Sequence, residues 1–273
     1  ADADRQPGAP EARVRLAAAL DGAVAREIGA SLLRREREVG WVDGDVAARE
    51  VVRLGAIVVE ERPAARPAPG EIAAALRDGI RAEGLGLLDF GREATALRQR
   101  LAFCRETLGE PWPRVDDETL LQSLPQWLGP DLAKARRRAD LARINTVAAL
   151  RRLLDWRQAA ELDRLAPERL AVPSGSKIRL DYSDPHAPVL AAKVQECFGW
   201  TRTPRVADGR TPVVVHLLSP AGRPAAVTSD LESFWRNGYP QVRAELRGRY
   251  PKHAWPEDPS AASPTRGTGR RRR

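Results

Sequence analysis

A chain of 273 residues and 30.0 kDa has room for one large domain or two to three small ones, and 42% hydrophobic with 30% charged residues is globular rather than disordered composition. No run approaches the roughly eighteen apolar residues of a membrane-spanning helix, the start ADADRQPGAPEAR lacks the apolar core of a secretory signal, and Cys104 and Cys197 with three histidines can build neither a disulfide framework nor a ready zinc site. Net charge is +8, a balance that suits polyanionic partners, and the sparse cysteines suit a reducing, cytoplasmic setting.

The first part of the chain reads as strands. Ala12 to Leu16 alternates polar and apolar. Trp41 to Val46 carries the Asp43-Gly44 turn between apolar flanks, and Val51 to Glu60 is β-branched. Between them Val24, Ile28 and Leu32 have helical spacing. Residues 1–66 are therefore expected to form a β-rich module, a partial barrel at the end of a larger barrel-like domain. Pro63, Pro67 and Pro69 then mark a linker.

Residues 70–166 read as a helical subdomain. Ile72, Leu76 and Ile80 stripe one helix, and Leu97, Leu101 and Cys104 stripe a second, closed by Pro111-Trp112-Pro113. Asp116-Asp117-Glu118 is an acidic first turn for a helix carrying Leu120, Leu124 and Trp127, ended by Gly129-Pro130. Asn145 or Thr146 caps the next, and Trp156 and Leu162 are expected on a buried side.

Residues 167–258 read as an α+β subdomain. Lys177 to Tyr182 alternates as a half-buried strand, Val189 to Phe198 begins as strand and ends as a short helix, and Pro212 to Leu218 is a buried-strand run. Arg223 to Val227 is a further strand, Thr228-Ser229-Asp230 caps a helix with Leu231, Phe234 and Trp235, and Val242 to Leu246 is helical. Residues 259–273 are expected to be a disordered basic tail. The fold class is accordingly α+β.

Self-contained catalytic chemistry is missing. There is no phosphate-binding loop ending in Gly-Lys-Ser/Thr; Ser174-Gly175-Ser176-Lys177 echoes one but lacks the leading glycine and precedes a strand. His186, His216 and His253 stand apart from any serine and aspartate at triad-like spacing. No catalytic, cofactor or metal residue is expected in the segment.

Charge placement says more than its sum. From Gln241 onward nine Lys/Arg face three acids, so six of the eight surplus charges sit in the last stretch, and a second island runs from Lys134 to Arg152. Near the end, Phe234, Trp235, Tyr239, Tyr250 and Trp255 interleave with Arg236, Arg243, Arg247, Arg249, Lys252 and His253. Flat rings can stack on bases and cations can meet phosphates; the same pattern equally suits a small aromatic core rimmed by charge. Through Pro251 the Arg247 to His253 run is expected to be extended. The candidate nucleic-acid-binding residues are Lys177, Arg223, Trp235, Arg243, Arg247, Arg249, Tyr250, Lys252, His253 and Trp255.

Leu217-Leu218-Ser219-Pro220-Ala221, Arg223-Pro224, Phe234-Trp235, Gly248 through His253 and Trp255-Pro256-Glu257-Asp258-Pro259 strongly resemble the C-terminal region of the HrpB family of bacterial DEAH-type ATP-dependent helicases. Asp78-Gly79-Ile80-Arg81, Val115 to Glu118, Leu153-Leu154-Asp155-Trp156, Val172 to Ser176 and Gln195-Glu196 with Phe198-Gly199 extend the likeness over residues 10 to 260. The resemblance implies that this is the accessory end of a motor whose RecA-like domains, holding ATP and Mg²⁺, lie outside these residues; the absence of methionine also reads as a piece of something longer. The implied partners are single-stranded nucleic acid, RNA above all, and those motor domains. A protein-interaction module that never touches nucleic acid is the alternative.

Overall fold

A computed structural model describes residues 2–4, 13–16, 19 and 21–267. The chain groups into two compact units, residues 1–83 with 132–140 and residues 84–131 with 141–273. The changes of periodicity near 66–70 and 166–167 coincide with changes of element type, whereas the compact units follow a different cut.

In the first unit β1 (Asp2–Asp4) pairs antiparallel with β2 (Arg13–Leu16), and α1 (Gly22–Ile28) is capped by Asp21. A meander follows: β3 (Leu33–Val42), β4 (Asp45–Leu54) and β5 (Ile57–Pro63), each antiparallel to the next. The Asp43-Gly44 turn joins β3 to β4 with both residues at positive φ, which Asp and Gly tolerate. Among the described residues these strands form an open sheet and not a closed barrel. Helix α2 (Pro69–Glu83) buries Ile72, Ala75, Leu76 and Ile80. Gly79 lets the helix approach Trp41 so closely that a Cβ there would lie 2.2 Å from the indole. Trp41 Nε1 donates to Glu83, and Arg138 bonds Glu83 and the Gly44 carbonyl while its backbone N–H reaches Asp45. These contacts hold the Glu83 carboxyl below the usual range, the indole bond being the largest cause.

The second unit contains α3 (Gly91–Leu108), α4 (Asp117–Gln122), α5 (Leu124–Trp127) and α6 (Gly129–Leu132), whose last residue falls in the first unit. After α7 (Arg138–Leu141), which also straddles the cut, come α8 (Thr146–Arg151) and α9 (Trp156–Leu165). Asp116 caps α4; Asn145, not Thr146, caps α8, because the Thr146 hydroxyl donates to the Asp89 carbonyl instead. Gly129-Pro130 opens α6 rather than ending the preceding helix, since proline is preset for a first turn.

A five-stranded sheet completes the unit: β6 (Arg169–Ala171), β7 (Lys177–Asp181), β8 (Val189–Lys193), β11 (Val214–Leu218) and β12 (Pro224–Thr228), in the order β12-β11-β8-β7-β6. Only the β8–β11 pair is parallel; β9 (Arg205–Val206) and β10 (Thr211–Pro212) make a small separate hairpin. The chain ends in α10 (Leu231–Ser233), one π turn (Phe234–Gly238) and α11 (Tyr239–Arg249). The α+β class expected from the sequence is the one observed. Pro259 to Gly267, expected to begin a disordered tail, is tied down instead. Gly199 N–H donates to the Pro259 carbonyl, Thr265 N–H to the Gln195 carbonyl, and Arg266 Nε to the Ser174 carbonyl. The Arg270 to Arg273 run lies outside the described residues. No described helix is long and apolar enough to cross a membrane.

Candidate nucleic-acid interface

The aromatic residues of the C-terminal signature do two jobs, and the burial of each side chain separates them. Trp235 is only 4% exposed. Its ring lies 6.1 Å from Phe198, 5.0 Å from Phe234 and 5.6 Å from Tyr239, and its Nε1 donates to the Trp200 carbonyl. That is a core cluster, so Trp235 offers no face to a base, contrary to the sequence expectation. Tyr239 joins it, with its hydroxyl donating to the Pro256 carbonyl and pushed up to about 12 by burial.

On this base α11 carries the cations outward. Tyr239 and Leu246 face inward, leaving Arg247 and Arg249 exposed in the last turn, where positive charge also suits the carbonyl end of a helix. The expected extended run does not form: the helix continues to Arg249, and His253 N–H donates to the Tyr250 carbonyl to close a turn. Trp255 Nε1 reaches the same carbonyl at 2.9 Å, and Tyr250 meets His253 edge-on at 6.3 Å. Pro251 thus bends the chain, because a second hydrogen bond is available to fold it back. Tyr250, His253 and Trp255 are half-buried in this turn, while Lys252 is exposed.

Arg243 is already engaged. Its Nε donates to the Trp255 carbonyl at 2.9 Å and Nη2 reaches Glu257 at 3.2 Å, so it braces the turn. Lys177 at the head of β7 and Arg223 in the bend before β12 are exposed. Among the described residues, Lys177, Arg223, Arg247, Arg249 and Lys252 have no acid partner. Five of the ten expected residues are therefore free cations, one is core, and four form the scaffold of a turn.

The second basic island divides similarly. Arg138 is spent on Glu83, and Arg152 bonds the Trp127 carbonyl and Asp131. Sequence patterning overlooked a groove of about 500 Å³ along α3 and β7, lined by Arg92, Thr95, Gln99, Arg179 and Asp181. By contrast, the depression of about 390 Å³ on the meander sets Arg35, Arg37 and Arg62 against Glu36, Glu50 and Glu60, a self-neutralising set.

Ser174-Gly175-Ser176-Lys177 is a turn running into β7, and the Ser174 hydroxyl donates to the Glu196 carboxylate at 2.8 Å, which would repel a phosphate. Among the described residues no three His, Cys, Asp or Glu side chains converge to hold a metal. Arg100, 2% exposed, is structural: it bonds Asp163, Glu168 and the Ala166 carbonyl, pinning α3 to the start of the sheet.

Residues 127–259 match the family described as ATP-dependent helicase C-terminal, HrpB_C. The ATP-dependent RNA helicase HrpB of Escherichia coli (strain K12) is 40% identical over 262 residues, 95% of this chain but 32% of that protein. A crystal structure of the E. coli DExH-box NTPase HrpB superposes with a TM-score of 0.74 at 38% identity, covering 97% of this chain and 33% of the other. Another, of the Escherichia coli DEAH/RHA helicase HrpB, gives 0.64 at 39% identity, covering 82% and 29%. The chain thus spans about a third of the length of the curated relative it matches. Signature, fold and extent of identity agree in supporting a C-terminal region of an HrpB-type helicase.

Proposed function

We propose that this region is the non-catalytic accessory end of an ATP-dependent helicase, gripping a single strand of nucleic acid, RNA above all, beside the motor. The observation that carries the reading is the set of exposed, acid-free cations Arg247, Arg249 and Lys252 on an end braced from within by Trp235, Tyr239, Arg243 and Trp255. A rigid support with unpaired cations is a backbone-positioning surface, which contacts phosphates without reading sequence. ATP and Mg²⁺ belong, on this reading, to RecA-like domains outside these residues, and the chain alone turns over no nucleotide. Replacing Arg247, Arg249 and Lys252 together by alanine should weaken binding of single strands irrespective of sequence, and each loss should reduce the log–log salt slope by about one. Unchanged affinity in an anisotropy titration would return these side chains to a purely structural role.

A second reading, docking on protein, has its own observation. In the first unit Ile28 is 76% exposed, Ile57 65% and Leu32 60%, with Val24 and Val58 also open. Helix α1 buries none of its residues. An amphipathic helix whose apolar side no described residue buries suits the upstream part of a longer helicase, and both roles can coexist in one accessory region. Capture of separately expressed motor domains, lost on Ile28→Asp, checks it.

A further inference from the structure

The sequence pattern expects Trp156 on a buried side of α9, and the structure turns it outward. The residue is 75% exposed, and no other aromatic side chain among the described residues is as open. The cause is the helix's own register. Helix α9 begins at Trp156 and buries Gln158, Leu162 and Leu165, a face that the first residue does not share. Nor does the indole close the helix end. Asp155 and Gln158 form a reciprocal capping box that satisfies the first-turn donors without it.

A cation lies against the ring. The Arg157 guanidinium lies 5.1 Å from the ring centroid. At 75% exposure most of the indole remains uncovered. Arg157 has no acid partner among the described residues, and neither has Arg151, exposed at the C-terminal end of α8. An open aromatic face with one uncompensated guanidinium against it, and a second exposed arginine five residues earlier in the chain, offers both halves of a nucleotide-binding surface: a stacking plane for a base and donors for its phosphates.

We infer that Trp156 is a base-stacking platform for single-stranded nucleic acid, with Arg157 and Arg151 holding the flanking phosphates. This site lies apart in sequence from the α11 cations, and it rests on the proposed function only in taking the same class of ligand. A strand is favoured over a protein partner because the ring meets a cation with no acid partner among the described residues, and no other large apolar side chain of α8 or α9 is exposed.

The test compares a short single-stranded oligonucleotide with an abasic strand of the same length, both fluorescently labelled, in anisotropy titrations of the full chain. Trp156→Ala should weaken the base-bearing strand about tenfold and leave the abasic strand unchanged, whereas Trp156→Phe should keep most of the affinity. Arg157→Ala should weaken both strands alike and flatten their salt dependence. Equal losses on the two strands for Trp156→Ala would overturn the stacking role. No loss on either would also overturn it, assigning the ring to a protein contact. A parent chain that binds neither strand would bring down the proposed function along with this site; binding by the parent with no effect at Trp156 would bring down this site alone.

Discussion

Gly79 shows how a single hydrogen atom in place of a methyl group decides a packing contact. Its α-carbon faces the Trp41 indole across a gap that leaves no room for a Cβ, so Gly79→Val must push α2 off the meander. Overpacking of this kind costs about 1–3 kcal/mol, readable in urea unfolding, whereas Gly86→Ala, with open space around it, should change stability by less than about 0.5 kcal/mol. The two cysteines behave oppositely to reactive thiols: burial pushes both Cys104 and Cys197 up to about 12. In the folded protein neither should react with a thiol reagent at mildly alkaline pH, and both should react in denaturant; prompt labelling of the native chain would contradict their placement. At this scale the sequence was least legible. Trp235 and Trp156 sit in equally plausible helical stripes, yet one is core and the other solvent-exposed. Which face of a short helix is buried depends on where it starts and what covers it, and neither is written in local spacing. The free or engaged state of each arginine is likewise a tertiary fact: Arg243 and Arg247 occupy one helix, and only Arg243 finds Glu257 and a carbonyl within reach.

Elements were far easier to read, because turn and cap chemistry is local. The Asp43-Gly44 turn, the stripe Ile72-Leu76-Ile80 and the acidic first turn at Asp117-Glu118 stand where the residues place them, with Asp116 one step earlier as the cap. The Asp155–Gln158 box makes a direct test: Asp155→Ala should cost about 1 kcal/mol, as loss of a helix cap does, seen as a lower urea midpoint at unchanged slope. At α4 the Thr119 backbone N–H, followed by the Thr119 hydroxyl, holds the Asp116 carboxyl below its ordinary range. A depressed carboxyl stabilises the folded state above its unfolded pKa and loses that contribution as pH falls through the folded value. The stability gap between the parent and Asp116→Ala should therefore be widest near neutrality and shrink in acid. Helix continuity was misread where proline intervenes. The run from Asp117 to Trp127 breaks at Ser123, whose hydroxyl turns back to the Thr119 carbonyl, and a new helix starts at Leu124 with Pro125 in its first turn.

For the whole molecule, segments far apart in the chain that carry the family signature prove to be one structural unit. The Val172 to Ser176 turn is bonded through Ser174 to Glu196, Gly199 is bonded to Pro259, and Thr265 and Arg266 return to Gln195 and Ser174. The strong likeness around Val172, Gln195, Phe198 and Trp255 thus has a folding reason, since these residues support the end of the chain that carries the unpaired cations. This convergence is invisible to periodicity, which sees only one element at a time. The same support makes the central claim measurable without any motor attached. The most direct measurement is the affinity of the chain for a labelled single strand as salt is raised from about 50 to 200 mM. A grip made by Arg247, Arg249, Lys252 and their fellow cations predicts a linear fall of log affinity with log salt, made shallower by alanine at those positions. Affinity that ignores salt, or no binding at low salt, would contradict it.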